Sequence, residues 1–170
     1  KLGSPQNKYR TIHIAGTNGK GTVASLLNHI FVKTGYLPKI GLMSSPHVFN
    51  INERCLINSC FVNDEVLDSA LLKVQEACLA METTPTFFVA ITAAIFKIFE
   101  EQKVDLAIIE VGLGGRMDAT NLIESPDISV ITSIGLDHQE QLGKTISEIA
   151  YNKAGIINRN SELIIGKLGR

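Results

Sequence analysis

The chain has 170 residues, of which 45% are hydrophobic and 19% charged, with 16 basic against 17 acidic side chains. These proportions are typical of one globular domain with a substantial core, and no apolar run is long enough to span a membrane. The balanced charge gives no electrostatic reason to expect nucleic acid or an anionic membrane as a partner. Three cysteines at irregular spacing, Cys55, Cys60 and Cys78, favour free thiols in a reducing compartment. We therefore expect a cytoplasmic protein, or a mitochondrial one in a eukaryote.

Apolar β-branched runs alternate with amphipathic segments along the first half of the chain. Thr11–Ala15 predicts a strand, a glycine loop follows it, and a helix is expected over roughly residues 21–33. Lys39–Met43 predicts the second strand, and Asn50–Ile57 predicts a short extended segment or hairpin. Asp64–Leu79 carries apolar side chains at helical spacing and predicts an amphipathic helix.

The second half continues this alternation, with two near-continuous apolar runs that are typical of buried parallel strands. The predicted elements are a helix from Pro85 to about Glu101, strands over Val104–Val111 and Ile128–Ile134, a helix that a capping box at Thr145–Glu148 opens and that ends near Ala154, and a last strand over Leu163–Ile165. The pattern indicates an α/β fold with a mostly parallel, doubly wound sheet and helices on both faces.

The strongest local signal is a glycine-rich loop between the first predicted strand and the first helix. It consists of Gly16, Thr17, Asn18, Gly19, Lys20, Gly21 and Thr22. Glycines let backbone N–H groups turn toward one point, the helix N-terminus adds partial positive charge, and Lys20 supplies a point charge for the β/γ phosphates. This tight GxxGKGT form predicts a phosphate loop that binds ATP. A glycine-rich turn with an exposed lysine is the alternative, and the strand–loop–helix context disfavours it.

Gly21 occupies the position at which the standard phosphate loop has the Ser or Thr that holds Mg²⁺. Because glycine has no hydroxyl, the metal would need one from elsewhere. Thr22, one residue further along, and the Ser44–Ser45 pair are both possible sources.

Two later strands also end in side chains with suitable chemistry. Glu110 ends a buried strand, where a carboxylate is costly unless a cation or donors meet it. His138 follows the next strand, and Lys153 lies on the helix after it. Ligands of open α/β sheets bind beyond the carboxyl ends of the strands, so we expect these residues to share one crevice with the phosphate loop. The alternatives are a solvent-facing Glu110, a hydrogen-bonded loop histidine and a solvated helical lysine.

Longer motifs occur in a fixed order along almost the whole chain. They are His13–Thr22, Ser44–His47, Asn52–Arg54, Glu110–Asn121, Asp137–His138 and Lys153–Ile156. With these motifs the chain resembles the folylpolyglutamate and dihydrofolate synthase family of Mur-ligase-like amide synthetases. The resemblance implies the fold of a Mur ligase central domain and an ATP-dependent reaction. In that reaction a folate-type carboxylate (dihydropteroate or a reduced folate) becomes an acyl phosphate, and the amine of L-glutamate displaces the phosphate to form an amide.

The resemblance further implies roles for individual residues around ATP and Mg²⁺. Ser45 and Glu110 resemble ligands of the metal that bridges the β/γ phosphates. His138 and Lys153 resemble ligands of a second metal, with Lys153 carbamylated by CO₂, because an unmodified lysine would repel a cation. Lys20, His138 and Lys153 are therefore the expected catalytic residues.

Substrate contacts and domain organisation are also implied by the resemblance. Asp118 and Ala119 resemble residues near the pterin or aminobenzoate end of the folate substrate. His47 and Arg54 belong to a loop that closes over the active site in the family, although each alone would be read as solvated. Family members continue into a C-terminal Rossmann-like domain, so we expect residues 1–170 to be a single N-terminal ATP-binding domain of a longer, monomeric enzyme. By itself this domain should lack ligase activity.

Two other functions stay open. One is a different Mur-type ligase, such as one that adds amino acids to a cell-wall precursor. The other is a nucleotide-dependent switch module that forms no amide. Within the folate reading, dihydrofolate synthase activity, folylpolyglutamate synthase activity or both remain possible.

Overall fold

The computed structural model describes residues 1–166 of the chain. Its strands are β1 (Arg10–Ala15), β2 (Ile40–Met43), β3 (Cys55–Ile57), β4 (Cys60–Phe61), β5 (Leu106–Glu110), β6 (Ile128–Ile131) and β7 (Glu162–Ile165). Its α-helices are α1 (Lys20–Thr34), α2 (Asp64–Leu79), α3 (Phe87–Glu101), α4 (Gln139–Leu142) and α5 (Ile146–Lys153). Short 3₁₀ turns cover Pro5–Asn7, Ile51–Arg54 and Ala154–Ile156.

The strands form one sheet in the order β4-β3-β2-β5-β1-β6-β7. All pairings from β2 to β7 along this order are parallel, whereas β3 and β4 add an antiparallel hairpin at one edge. The carboxyl ends of β1, β5 and β6 therefore meet at one edge of the sheet, where open α/β folds bind their ligands. The prediction of a mostly parallel α/β sheet is confirmed.

Helices cover both faces of the sheet, as the near-continuous apolar runs predicted. Along β5, Leu106 and Ile108 pack with α1, whereas Ala107 and Ile109 pack with α2 and α3. Successive side chains of a strand point to opposite faces, so both sides of this strand are buried. Such burial explains why the run lacks the polar alternation of a half-exposed strand.

Two predicted boundaries differ from the structure for identifiable reasons. The helix expected from Pro85 begins at Phe87, because the Thr86 side chain accepts a hydrogen bond from the Val89 N–H and caps it there. The strand expected to reach Ile134 ends at Ile131. Beyond that point the backbone leaves the sheet, and it hydrogen-bonds to the phosphate loop instead of to a neighbouring strand.

The segment predicted over residues 50–57 is part turn and part strand. A 3₁₀ turn with a capping box at Asn50 and Glu53 precedes β3, which then pairs with β4 in a hairpin. Sequence patterns did not indicate β4 or the four-residue α4. Within residues 1–166, no helix combines the length and the apolar character that crossing a membrane requires.

Candidate active site

The phosphate loop lies between β1 and α1 and is fastened to the segment after β6. The Thr17 N–H donates to the Ser133 carbonyl at 2.9 Å, and the Asn18 N–H donates to the Ser133 hydroxyl at 2.9 Å. Gly16 has a φ of +151°, and a Cβ at this position would collide with the Thr132 side chain. The start of the loop therefore requires glycine.

Lys20 and Lys153 donate to the same backbone oxygen. Their Nζ atoms lie 3.2 Å and 2.9 Å, respectively, from the Gly16 carbonyl oxygen. Lys153 is 2% exposed, so the alternative of a solvated helical lysine is wrong. Burial, together with the charge of Lys20, lowers the pKa of Lys153 to about 8, and Asp137 opposes this shift. Two amines that share one acceptor make this corner of the site attractive to an anion.

Glu110 lies at the end of β5, directly beside the phosphate loop. It is 4% exposed, which excludes the solvent-facing alternative, and its carboxylate accepts the Ser45 N–H at 3.0 Å. Both carboxylate oxygens would lie 3.4 Å from a Cβ built on Gly21, which places Glu110 in van der Waals reach of this loop position. Burial raises the pKa of Glu110, and the Ser45 N–H and Lys20 oppose this shift.

His138 lies beyond β6, at the residue that precedes α4, with a left-handed φ of 44°. Its side chain is 55% exposed, and its Nε2 lies 3.6 Å from the Asp137 carboxylate. Within residues 1–166, no three His, Cys, Asp or Glu side chains gather into a group that could hold a metal ion. Metal binding here would therefore need hydroxyl, phosphate or modified-lysine oxygens in addition to Glu110 and His138.

Asp118 organises the glycine loop that follows β5. Its carboxylate accepts the Leu113 N–H at 2.8 Å, the Thr120 N–H at 3.0 Å and the Thr120 hydroxyl at 2.6 Å. The Thr120 oxygen also contacts His13 Nε2 at 2.8 Å. Because the hydroxyl proton goes to Asp118, His13 must be the donor there, and its buried Nδ1 has no partner among residues 1–166. Burial lowers the pKa of His13 to about 3, so the imidazole is neutral.

These groups surround one open cleft of about 770 Å³. The predicted site residues that line it are Thr17, Lys20, Ser45, Asp118, Ala119 and His138. Glu110 and Lys153 do not line the cleft themselves. They hydrogen-bond to Ser45 and Gly16, respectively, beside it. Thr22, the other possible source of a hydroxyl, is exposed on the first turn of α1. The structure therefore brings predicted residues from the ends of four strands, β1, β2, β5 and β6, to one place.

Comparison with known proteins identifies the family of the chain. The Mur ligase middle domain matches residues 14–165. The chain belongs to this family. In this Mur ligase middle domain, Glu110 and Lys153 hydrogen-bond to Ser45 and Gly16 at the carboxyl edge of the sheet, beside the main cleft.

Folate ligases are also similar over nearly all of the chain. The dihydrofolate synthase/folylpolyglutamate synthase of Bacillus subtilis (strain 168) is 41% identical over 169 residues, which cover 96% of this chain and 39% of that protein. A solved FPGS–AMPPCP–folate complex is 40% identical with a TM-score of 0.92, covering 99% of this chain and 42% of that one. E. coli FolC in complex with DHPP and ADP is 34% identical with a TM-score of 0.90, covering 96% and 38%. The chain thus spans about two fifths of the length of these proteins.

A second cleft of about 680 Å³ adjoins the first in this Mur ligase middle domain. The two share Val89, Asp118 and Ala119 as lining residues. Apolar side chains such as Met81 and Phe96 line the second cleft, together with the N-terminal residues 1–6. Asp118 and Ala119 thus lie where the first cleft meets a more apolar one.

Sequence reasoning missed two buried polar contacts in this domain. One joins His13 to Thr120, and its signal was a histidine inside the otherwise apolar strand Thr11–Ala15. The other joins Arg54 to His47: Arg54 Nε donates to His47 Nδ1 at 2.7 Å, and Arg54 is 7% exposed. The solvated-loop reading is therefore wrong for Arg54. No local pattern distinguishes a buried arginine from an exposed one.

Proposed function

We propose that this chain is the ATP-binding domain of a longer ligase that joins L-glutamate to a folate-type carboxylate, either dihydropteroate or a reduced folate. The observation that carries the proposal is the convergence of a phosphate loop, two lysines and a buried glutamate on one cleft. It is supported by 41% identity to a protein named dihydrofolate synthase/folylpolyglutamate synthase. AMPPCP, an ATP analogue, and folate are bound in one related structure, and such a cleft would suit the same ligand chemistry.

The reaction would take two balanced steps. First, a carboxylate oxygen of the folate substrate attacks the γ-phosphorus of ATP, the bond from that phosphorus to the β,γ-bridging oxygen breaks, and ADP leaves. The glutamate nitrogen then attacks the acyl carbon, phosphate leaves with the bonding electrons, and the nitrogen loses a proton. Phosphoryl transfer depends mainly on positioning and electrostatic stabilisation. Lys20 and the backbone N–H groups of residues 16–22 would hold the β and γ phosphates.

Mg²⁺ is expected with the nucleotide, and the groups beside the loop fit it. Glu110 is a buried carboxylate that has no ion-pair partner among residues 1–166, so a cation would offset the cost of its burial. We propose that Glu110 and the Ser45 hydroxyl hold this metal. Bound there, the metal would neutralise charge on the β/γ phosphates.

His138 and Lys153 are proposed for a second metal, which requires Lys153 to be carbamylated. The Lys153 ammonium is buried near Lys20 and has one backbone acceptor, so replacing its positive charge by a carbamate would remove a repulsion and supply oxygen ligands. Incubation with ¹³C-bicarbonate should give a carbamate NMR resonance that the Lys153→Met variant lacks. Identical spectra for the two proteins would show that Lys153 is not modified.

We propose that the aromatic end of the folate lies at Asp118 and Ala119. The apolar second cleft suits an aromatic ring, and Asp118 can accept hydrogen bonds from ring or amino N–H groups. Ala119→Leu should therefore raise the KM for the folate substrate while leaving the KM for ATP unchanged. A rise in both constants, or in neither, would contradict this placement.

The activity is tested on the full-length enzyme that contains this chain. ADP release is measured with ATP alone, with folate or glutamate added singly, and with both, and the product is weighed by mass spectrometry. We expect ADP and a glutamate adduct only when both substrates are present. ATP hydrolysis at the same rate with and without folate and glutamate would support a switch module. An amide formed on a cell-wall precursor would support another Mur-type ligase.

Two further comparisons complete this experiment. A panel of dihydropteroate against tetrahydrofolate monoglutamate determines which of the two activities the enzyme has. The 170-residue chain by itself should bind nucleotide weakly and form no amide, and normal turnover by this chain alone would refute the proposed domain organisation.

A further inference from the structure

Arg54 is a buried cation on the wall of the main cleft. It ends the 3₁₀ turn before β3, is 7% exposed, and lines the cleft together with Lys20 and Ser45. Its carbonyl accepts the Ser44 N–H at 3.1 Å, which ties the backbone of the turn to the end of β2. Arg54 is therefore held in place by the same strand end that carries Ser45.

The guanidinium is left without a negative partner. Its Nε donates to His47 Nδ1 at 2.7 Å, and its central carbon lies 5.4 Å from the centre of the Phe87 ring. No ion pair among residues 1–166 includes Arg54, and its two terminal nitrogens have no hydrogen-bond partner there. Those nitrogens are not sealed from solvent, so they open onto the cleft that Arg54 lines.

Neither nearby acid forms an ion pair with Arg54 among residues 1–166. Glu53, its neighbour in sequence, accepts the backbone N–H groups of Val48, Phe49 and Asn50 at 2.7 to 2.9 Å. Asp118, on the glycine-loop side of the cleft, accepts three hydrogen bonds from its own loop. An arginine cannot lose its proton to escape burial, so an anion from outside the chain would compensate the charge of this guanidinium better than water does.

We infer that Arg54 binds an oxyanion of a substrate. Its two terminal nitrogens would donate a bidentate pair of hydrogen bonds to a carboxylate or phosphate group. The planar fork of arginine matches the geometry of both groups, which lysine does not. Lys20, the other cation of the cleft wall, belongs to the phosphate loop, so Arg54 provides a second anchoring point at a separate turn. The inference rests on the proposed function for the identity of the substrates. The sources of the oxyanion are then the folate carboxylate, the glutamate carboxylates and the γ-phosphate of ATP.

The test compares Arg54→Gln and Arg54→Lys with the parent in the full-length enzyme. Arg10→Gln is the matched control, because Arg10 is exposed, pairs with Asp127 at 2.9 Å and does not line the cleft. We expect Arg54→Gln to raise the KM of one substrate about 10- to 100-fold, the range for losing hydrogen bonds to a charged group. Arg54→Lys should restore part of this loss. The substrate whose KM rises (folate, glutamate or ATP) is the source of the oxyanion.

Calorimetric titration with ATP, glutamate and folate, each separately, does not depend on turnover. It therefore tests Arg54 even if the proposed ligase activity is absent. We expect one ligand to bind Arg54→Gln at least about 10-fold more weakly than the parent and Arg10→Gln. If every ligand binds all three proteins equally, or if Arg54→Lys behaves like the parent, bidentate oxyanion binding is refuted. A fall in melting temperature without any change in binding would make Arg54 a structural residue.

Discussion

The neutral, buried His13 makes a quantitative prediction about acid stability. The folded protein holds its pKa at about 3, whereas the ordinary value is 6.5. As the pH falls below 6.5, the unfolded chain binds a proton that the folded chain does not accept, so stability is lost between pH 6.5 and pH 3. Above pH 6.5 this contribution is fully present.

The magnitude follows from the difference between the pKa values of His13 in the folded and unfolded states. At pH 5, which is about 1.5 units below the unfolded pKa, His13 should lower the free energy of unfolding by about 2 kcal/mol relative to pH 7. His13→Gln removes the titrating group but keeps an N–H donor of similar reach for the Thr120 hydroxyl. Other acid-sensitive groups, such as Glu53 and Glu148, are common to both proteins and cancel in the comparison.

The assay is urea unfolding followed by circular dichroism at pH 7 and pH 5. The stability lost by the parent should exceed that lost by His13→Gln by about 2 kcal/mol. Equal losses would refute the assignment of a neutral imidazole. If His13→Gln fails to fold, NMR of the parent decides the question, because the imidazole should stay neutral and carry its proton on Nε2 at pH 5.

Three substitutions test the remaining groups of the site. Lys153→Met, of similar length but uncharged, should abolish turnover without lowering the melting temperature, and retained activity would disprove a role as a metal ligand. Because burial raises the pKa of Glu110, its charge costs stability above its ordinary pKa. Glu110→Gln should therefore be more stable than the parent at pH 7 without Mg²⁺, yet bind Mg·ATP more weakly, and unchanged Mg·ATP affinity would contradict the metal assignment. Gly16→Ala should lower the unfolding free energy by about 1–3 kcal/mol, because φ is +151° and the new methyl collides with Thr132, and a thermal melt equal to that of the parent would contradict this.

Several features of the site could be predicted because they depend on local sequence or on general properties of parallel sheets. The phosphate loop is contiguous, so its glycines and Lys20 are recognisable without any tertiary information. Glu110 could be assigned to the site because it ends an apolar run, and parallel strands present their carboxyl ends at one edge. The phosphate, metal and substrate roles assigned to the site residues remain predictions, and these residues are Lys20, Ser45, Glu110, Asp118, Ala119, His138 and Lys153.

Other features were invisible in the sequence because they join segments far apart in the chain. Lys153 was expected in the crevice, but its local sequence is that of a solvated helical residue. Only the folded chain shows its burial and its hydrogen bond to the Gly16 carbonyl, 137 positions earlier. Arg54 was read as a loop residue, and its burial depends on β2, His47 and Phe87 together.

The sequence by itself thus determined the α/β architecture, and it predicted the phosphate loop and the edge of the sheet at which the site lies. These depend on hydrophobic periodicity and on short motifs, which local chain chemistry controls. The tertiary structure alone decided the burial of His13, Arg54 and Lys153 and the neutral state of His13. The pKa and the solvation of a side chain depend on what packs around it, and that packing brings together residues that no local pattern connects.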